Sequence, residues 1–320
     1  MESAPSATQT AESTPLAPGS VSACLVVRNE EAVIERCLAS LEGVVDEIVL
    51  VHDGACEDRT LEIAAAHGCR IFVRPLVGHA EVATVFAFEQ ARGEWILSLD
   101  GDEFLSGPLH AELRALVADE AVNGYEVLWR MWDGTRYITE NGPYKLSLFR
   151  RARVHVLGMI HAVERVDAPV RRVQLQLEHR PLYNNYALRT VLTKHRRWAR
   201  INAREFLGEL SALPSFNWDG PVAWPPRRRV LNRLSPLLVL PYLPVVFALS
   251  FIRERSYYGL RENARMAFGQ AVYGALVQLY VAKYLYFGLD ARAASAAAEP
   301  PRPSAAAESP RPESSESRSV

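Results

Sequence analysis

The sequence predicts an α/β fold: a mostly parallel sheet flanked by helices, with an apolar helical region after it. Three observations carry the prediction. Short apolar runs alternate with segments of helical periodicity between residues 21 and 100. The runs are apolar throughout rather than alternately polar, as strands covered on both faces must be. A carboxylate, Asp53 or Asp100, lies within two residues of the end of two of them.

Residues 22–27 form the first strand-like run. Residues 30–41 follow, with Val33, Ile34, Cys37, Leu38 and Leu41 at helical spacing. Residues 47–51 (EIVLV) read as the next buried strand, and 60–67 as a helix stopped at Gly68. A third strand at 70–73, a helix at 81–91 and a strand at 95–99 running into Asp100 complete the alternation. Ligands of such sheets bind beyond the carboxyl ends of the strands, so Asp53 and Asp100 are expected to face one crevice.

The chain has 36 Lys or Arg against 37 Asp or Glu, a net charge of −1 that excludes a protein coating nucleic acid by charge. With 49% hydrophobic and 23% charged residues it can bury a sizeable core. Residues 1–20, rich in Ser, Thr, Ala and Pro, lack a basic segment leading into an apolar one. They are expected to be a disordered leader and not a signal peptide. Residues 291–320 are too poor in large apolar side chains to fold and are expected to be a tail. Cys24, Cys37, Cys56 and Cys69 are irregularly spaced without a C-x-x-C pair, which favours reduced cytoplasmic thiols.

Asp100-Gly101-Asp102-Glu103 is the densest chemical signal. Two carboxylates two residues apart suit a hard divalent cation, Mg or Mn, that also takes oxygens from substrate phosphates. A solvated acidic turn has the same composition. After the second strand, Asp53 can accept hydrogen bonds from a ribose or a base edge, and Asp58 can do the same or cap the next helix. Cys56 reads as a packing residue, since no cation lies beside it in sequence.

Towards the carboxyl end, residues 189–233 hold ten Lys or Arg against three acids, a local net charge of +7. Leu188, Val191, Leu192, His195, Trp198, Ala199, Asn202 and Phe206 form one stripe, with most of the arginines off it. Such a helix covers a core, or meets anionic lipid headgroups or a phosphorylated acceptor. Residues 234–252 are 19 without a charge, close to the roughly 20 that cross a bilayer. Pro236, Pro241 and Pro244 interrupt them and arginines flank both ends, so a re-entrant or interfacial anchor is expected. Residues 266–282 read as a packing or interface helix. The alternative is that both segments complete a soluble core.

With these motifs in order, the chain resembles the family 2 glycosyltransferases of GT-A fold, of the lipopolysaccharide-core glucosyltransferase type. The family's K-N-E-E appears as Arg28-Asn29-Glu30-Glu31. Its D-S-G-S-T-D-G-T loop is matched at Asp53, Asp58 and Thr60, its W-x-L-x-L-D-A-D-E at Trp95 to Glu103, and its Y-K-x-R-L-F-R at Tyr144 to Arg150. The resemblance implies a nucleotide-sugar donor held by Asn29, Glu30, Asp53, Asp58, Asp100 and Lys145. It further implies a divalent metal (Mg or Mn) at Asp100 and Asp102, with His179 as a further contact, and inversion by direct displacement. The family's H-E pair is here His161-Ala162-Val163-Glu164. In a strand, residues two apart share a face, so Glu164 is the expected base, with Glu103 its rival. Val85 stands where the family usually has Asn.

The implied organisation is a leader at 1–20, a Rossmann-like GT-A domain at 21–225, a membrane-associated helical region at 226–290 and a tail at 291–320. The implied acceptor is a lipid-linked or cell-envelope glycan. The expected location is cytoplasmic, peripheral to or anchored in the inner membrane, with no nucleic-acid partner. A polyprenyl-phosphate glycosyltransferase and a non-catalytic nucleotide-sugar or membrane-binding scaffold are the competing readings.

Overall fold

The computed structural model describes residues 14–182, 188–221 and 223–287. Most of the expected leader, the expected tail and the side chains of Leu188, Val191 and Leu192 lie outside the described residues. The elements are β1 (Val21–Val27), α1 (Ile34–Ala39), β2 (Glu47–Asp53), α2 (Thr60–Ala66), β3 (Arg70–Arg74), α3 (Ala80–Gln90), β4 (Trp95–Asp100), β5 (Glu103–Leu105) and α4 (Gly107–Val117). They continue with β6 (Gly124–Leu128), β7 (Tyr144–Arg150), β8 (Val154–Leu157), β9 (Arg165–Val166), β10 (Val170–His179), α5 (Leu188–Leu207), β11 (Ser215–Phe216), α6 (Pro226–Glu254) and α7 (Leu260–Phe287). Every strand and helix expected before residue 100 forms. The first helix is shorter than its periodicity suggests, because residues 31–33 are a turn.

Eight strands make one sheet in the order β3-β2-β1-β4-β7-β6-β10-β5, and β11-β8-β9 make a second. β1, β2, β3 and β4 are mutually parallel neighbours, whereas β7 runs antiparallel to both β4 and β6. The continuous apolar runs are explained by two core layers. Val21, Ala23, Leu25 and Val27 of β1 pack on one face with α1 and α4, while Cys24 faces the opposite layer with Ala83, Val85 and Phe88 of α3. Val85, where the family usually has Asn, is a core residue of that second layer. All four cysteines are free; burial pushes the thiols of Cys24 and Cys37 well above the ordinary range, so neither is a nucleophile.

Leu16 and Ser20, within the expected leader, bond backbone to backbone with Arg92 and Ala17. The prolines do not break α6, which is a continuous 29-residue helix with Pro236, Pro241 and Pro244 inside it. It spans about 43 Å at the α-helical rise. Its polarity is inverted: the buried positions are Asn232, Ser235 and Ser250, while Leu237 and Leu240 are 73% and 77% exposed. The helix packs on α7, where a Cβ on Gly274 would lie 2.9 Å from the Tyr242 ring, so only glycine admits that approach. α7 in turn seats Val277, Tyr280 and Val281 against Ala199 and Ala203 of α5.

Candidate active site

The strand order leaves β1 with β2 on one side and β4 on the other, which opens a crevice at their carboxyl ends. The turn after β1 is tied to the turn after β2 residue by residue. Asn29 has a left-handed backbone (φ 51°), which Asn tolerates. Its N–H donates to His52 Nε2 at 3.3 Å and its Oδ1 accepts from the Glu57 N–H at 3.0 Å. His52 is fully buried, and its Nδ1 lies 2.9 Å from the Gly54 carbonyl. A carbonyl only accepts, so Nδ1 carries the proton and Nε2 receives the Asn29 N–H. Sequence reasoning passed over His52; the signal available was a polar residue inside an apolar strand.

The same seam continues through Glu30, whose N–H donates to Thr60 Oγ1 at 2.7 Å, and through Asp58, which accepts from the N–H groups of Glu31 (3.2 Å) and Thr60 (2.9 Å). Burial opposes ionisation of Asp58, but these hydrogen bonds outweigh it and hold the carboxyl below its usual range. Asp58 thus ties the β1 turn to the first N–H of α2, whose N-cap residue is Arg59. Asp53 is buried, and its two oxygens accept from the N–H groups of Val77 (2.8 Å) and Gly78 (2.9 Å). These bonds shape the loop after β3.

Across the crevice, β4 ends at Asp100, paired in register with Val26. Gly101 turns the chain tightly: a Cβ there would sit 3.2 Å from Val27 and 3.3 Å from the Glu30 side chain. Glu103 then re-enters the sheet fully buried. Both of its oxygens lie 2.7 Å from Lys145 Nζ, and Oε2 also accepts from the Asp100 N–H at 2.9 Å. Lys145 reaches Asp100 Oδ2 as well, at 3.2 Å. Glu103, the rival base, is thus consumed in positioning Lys145 and the Asp100 backbone.

Asp102 lies beside this cluster and feels Lys145 through its charge. Burial, reinforced by the charges of Asp100, Glu103 and Glu30, pushes its carboxyl up to about 8. His179 ends β10 opposite Glu103 and places Nε2 3.7 Å from Asp102 Oδ2. Its Nδ1 is buried without a hydrogen-bond partner among the described residues, and its ring lies 4.6 Å from Trp129. Burial pushes it down to about 4, so the imidazole is neutral at pH 7 and able to act as a ligand.

Among the described residues, no group of three or more His, Cys, Asp or Glu could hold a metal ion by itself. Asp100, Asp102 with its carboxyl raised by its acidic neighbours, and the neutral His179 nevertheless fit a hard cation that completes its shell with phosphate oxygens.

Glu164 arrives by a route other than the one expected. Residues 162–164 are not in a strand; β9 begins at Arg165, and the chain reaches Glu164 through a turn in which His161 is left-handed (φ 59°). The i, i+2 argument from a strand therefore fails. Burial pushes the Glu164 carboxyl up, while Lys145 and Asp100 act on it through their charges, which places it in the field of the same cluster. The structure thus brings Glu30 beside Gly101 and gathers Asp100, Asp102, Glu103, Lys145 and His179 around one crevice, with Glu164 in the field of Lys145 and Asp100. Asp53 and Asp58 serve its walls.

Residues 22–161 match the family described as Glycosyl transferase family 2. That segment, which holds β1 to β8 and the Asp100–Glu103 turn, is thus a Glycosyl transferase family 2 domain. Among its relatives is an uncharacterized glycosyltransferase of Rickettsia bellii, 33% identical over 105 residues, covering 33% of this chain and 35% of the relative. The lipopolysaccharide core biosynthesis glycosyltransferase LpsC of Rhizobium meliloti is 32% identical over 141 residues, covering 42% of this chain and 52% of LpsC. The chain therefore spans about a third to a half of the length of these relatives. Among solved structures, S. aureus TarS 1-349 aligns over 80% of this chain and 90% of its own with 14% identity and a TM-score of 0.40. Glucosyl-3-phosphoglycerate synthase from Mycobacterium tuberculosis, in complex with Mn2+, UDP-glucose and phosphoglyceric acid, aligns over 35% and 44% with 25% identity and a TM-score of 0.30.

Proposed function

We propose that the protein transfers a sugar from a nucleotide-sugar donor, with inversion, to a lipid-linked or cell-envelope glycan acceptor at the cytoplasmic face of a membrane. The observation that carries this reading is the Asp100-Gly101-Asp102 turn at the carboxyl end of β4, facing the β1 turn across a crevice and backed by Lys145. A divalent cation bound there supplies charge neutralisation to a departing diphosphate. Asp100 and Asp102 hold it, with His179 beside them, and Lys145 adds a cation to the same region. Glu164 removes the proton of the acceptor hydroxyl; a carboxyl raised by burial is suited to a base near neutral pH.

The test is release of nucleoside diphosphate from a panel of nucleotide sugars with Mn or Mg. Metal-dependent release from one donor is expected. Failure of every donor to bind or turn over would leave the scaffold reading in its place.

Membrane association rests on the inverted polarity of α6. Leu237, Leu240, Val245, Leu249 and Ile252 are exposed on a helix whose buried positions are polar, and Arg227, Arg228, Arg229, Arg233, Arg253 and Arg255 flank the apolar stretch. Small and polar residues inside with leucines outside is the pattern of helices packed in lipid, and the flanking cations suit anionic headgroups. Full-length protein is expected to co-sediment with vesicles containing phosphatidylglycerol. The double substitution Leu237→Asp with Leu240→Asp should weaken that binding by about tenfold or more, given the transfer free energy of two leucines. Undiminished binding of the double variant would remove α6 as the anchor.

A further inference from the structure

The turn that leads into Glu164 is gripped from two sides by carboxylates that no part of the proposed chemistry uses. The N–H of Ile160 donates to Glu205 of α5, at 3.0 Å to Oε1 and 3.3 Å to Oε2. The N–H of the next residue, His161, donates to Glu81 Oε1 of α3 at 2.6 Å. His79 bridges the two acids, with Nδ1 2.9 Å from Glu81 Oε2 and Nε2 3.8 Å from Glu205 Oε1. Asn202 adds a bond to Glu205 Oε2 at 3.3 Å. The side chains of Glu205 and His79 are only 8% and 5% exposed. The ring of His161 is boxed by Trp198 of α5 at 5.0 Å and Tyr273 of α7 at 5.2 Å.

A buried carboxylate such as Glu205 is costly to keep, and left-handed backbone at a non-glycine residue such as His161 persists only where its surroundings over-determine it. Three separate elements, α3, α5 and α7, are committed to one short turn, and α5 and α7 lie beyond the segment that matches the family. The sequence places Glu164 three residues past the strained position, so the direction in which the chain leaves His161 sets where that carboxylate sits.

We infer that Glu205, with Glu81 and the His79 bridge, is a positioning residue for the reaction: the carboxyl-terminal helices fix the 159–161 turn and thereby aim Glu164 into the crevice. This rests on the reading of Glu164 as the base. Glu205 touches no reacting atom in this scheme.

Full-length Glu205→Ala and Glu205→Gln proteins would be compared by hydrogen–deuterium exchange over residues 158–164, and by kinetics with the donor the panel selects. Glu205→Ala is expected to speed exchange in that segment and to lower kcat by about 10²-fold, the scale of a misplacement near 1 Å. Donor KM and nucleoside diphosphate Kd should stay within about twofold of the parent, since the donor contacts lie on other loops. Glu205→Gln keeps a carbonyl oxygen for the Ile160 N–H and should recover most of kcat. Should Glu205→Ala fail to fold, Glu81→Ala, which removes the other carboxylate gripping the turn at the His161 N–H, should show the same split.

Unchanged exchange, an unchanged kcat in a loosened turn, or a fall of kcat and donor affinity together would each overturn the inference. A Glu164→Gln protein with full kcat would instead sink the base assignment, and the exchange measurement would still decide whether Glu205 holds the turn.

Discussion

Replacing Asp102 with alanine is expected to lower metal-dependent donor turnover by about 10³-fold, in the range seen when one preorganised electrostatic contact is removed from an active site. Lys145 acts on Asp102 only through its charge, since its hydrogen bonds go to Glu103 and Asp100. The Asp102 carboxyl stands at about 8, far above an unfolded aspartate near 3.9. Between those two values the cation-free native state binds more protons than the unfolded one, so stability should fall as pH rises from about 4 to 8. A cation favours the ionised form and reverses that cost. Mn or Mg should therefore bind the parent more tightly as pH rises towards 8, with proton release measurable by calorimetry in buffers of different ionisation enthalpy. Asp102→Ala should abolish both the binding and the proton release while leaving thermal unfolding cooperative. An Asp102→Ala protein with undiminished metal-dependent turnover would show that the cation sits elsewhere.

The sheet and its ligand edge were legible because they depend on local periodicity. Apolar runs such as 47–51 and 95–99 can be read without a partner, and the placement of Asp100 follows from the strand that ends there. Tasks that depend on distant partners were not legible. Asp53 faces the crevice edge but spends its oxygens on Val77 and Gly78, and nothing in the D-G-A-C-E-D sequence announces that. Glu103 looked like a base in sequence; only the pairing of β7 with β4 brings Lys145 onto it. Glu164 was chosen for its spacing from His161, yet it reaches the cluster through a left-handed turn whose geometry is set by α3 and α5. The prolines of α6 read as interruptions because proline removes a helical hydrogen bond. They are accommodated in a helix whose outer face is apolar from Leu234 to Ile252.

Lys145→Met should be the most damaging substitution for stability. Glu103 is fully buried, and Lys145 is its only cationic hydrogen-bond partner among the described residues. Breaking a buried pair from one side leaves an uncompensated charge, a loss of about 3–5 kcal/mol, against a total native stability of about 5–15 kcal/mol. The effect has a pH signature that separates it from lost packing. Burial already pushes Glu103 up to about 7 with the ammonium in place, and removing the ammonium can only raise it further. A carboxyl raised in the native state is protonated there while still ionised in the unfolded chain, so the variant should be least destabilised near pH 5 and increasingly so towards pH 8. Urea denaturation at the two pH values measures this directly. Adding Glu103→Leu to Lys145→Met removes the orphaned charge and should return much of the lost stability without returning activity, since Lys145 also holds Asp100. A single variant equally destabilised at both pH values, or a double variant no more stable than the single, would mean that the ammonium is held by packing and not by the buried carboxylate.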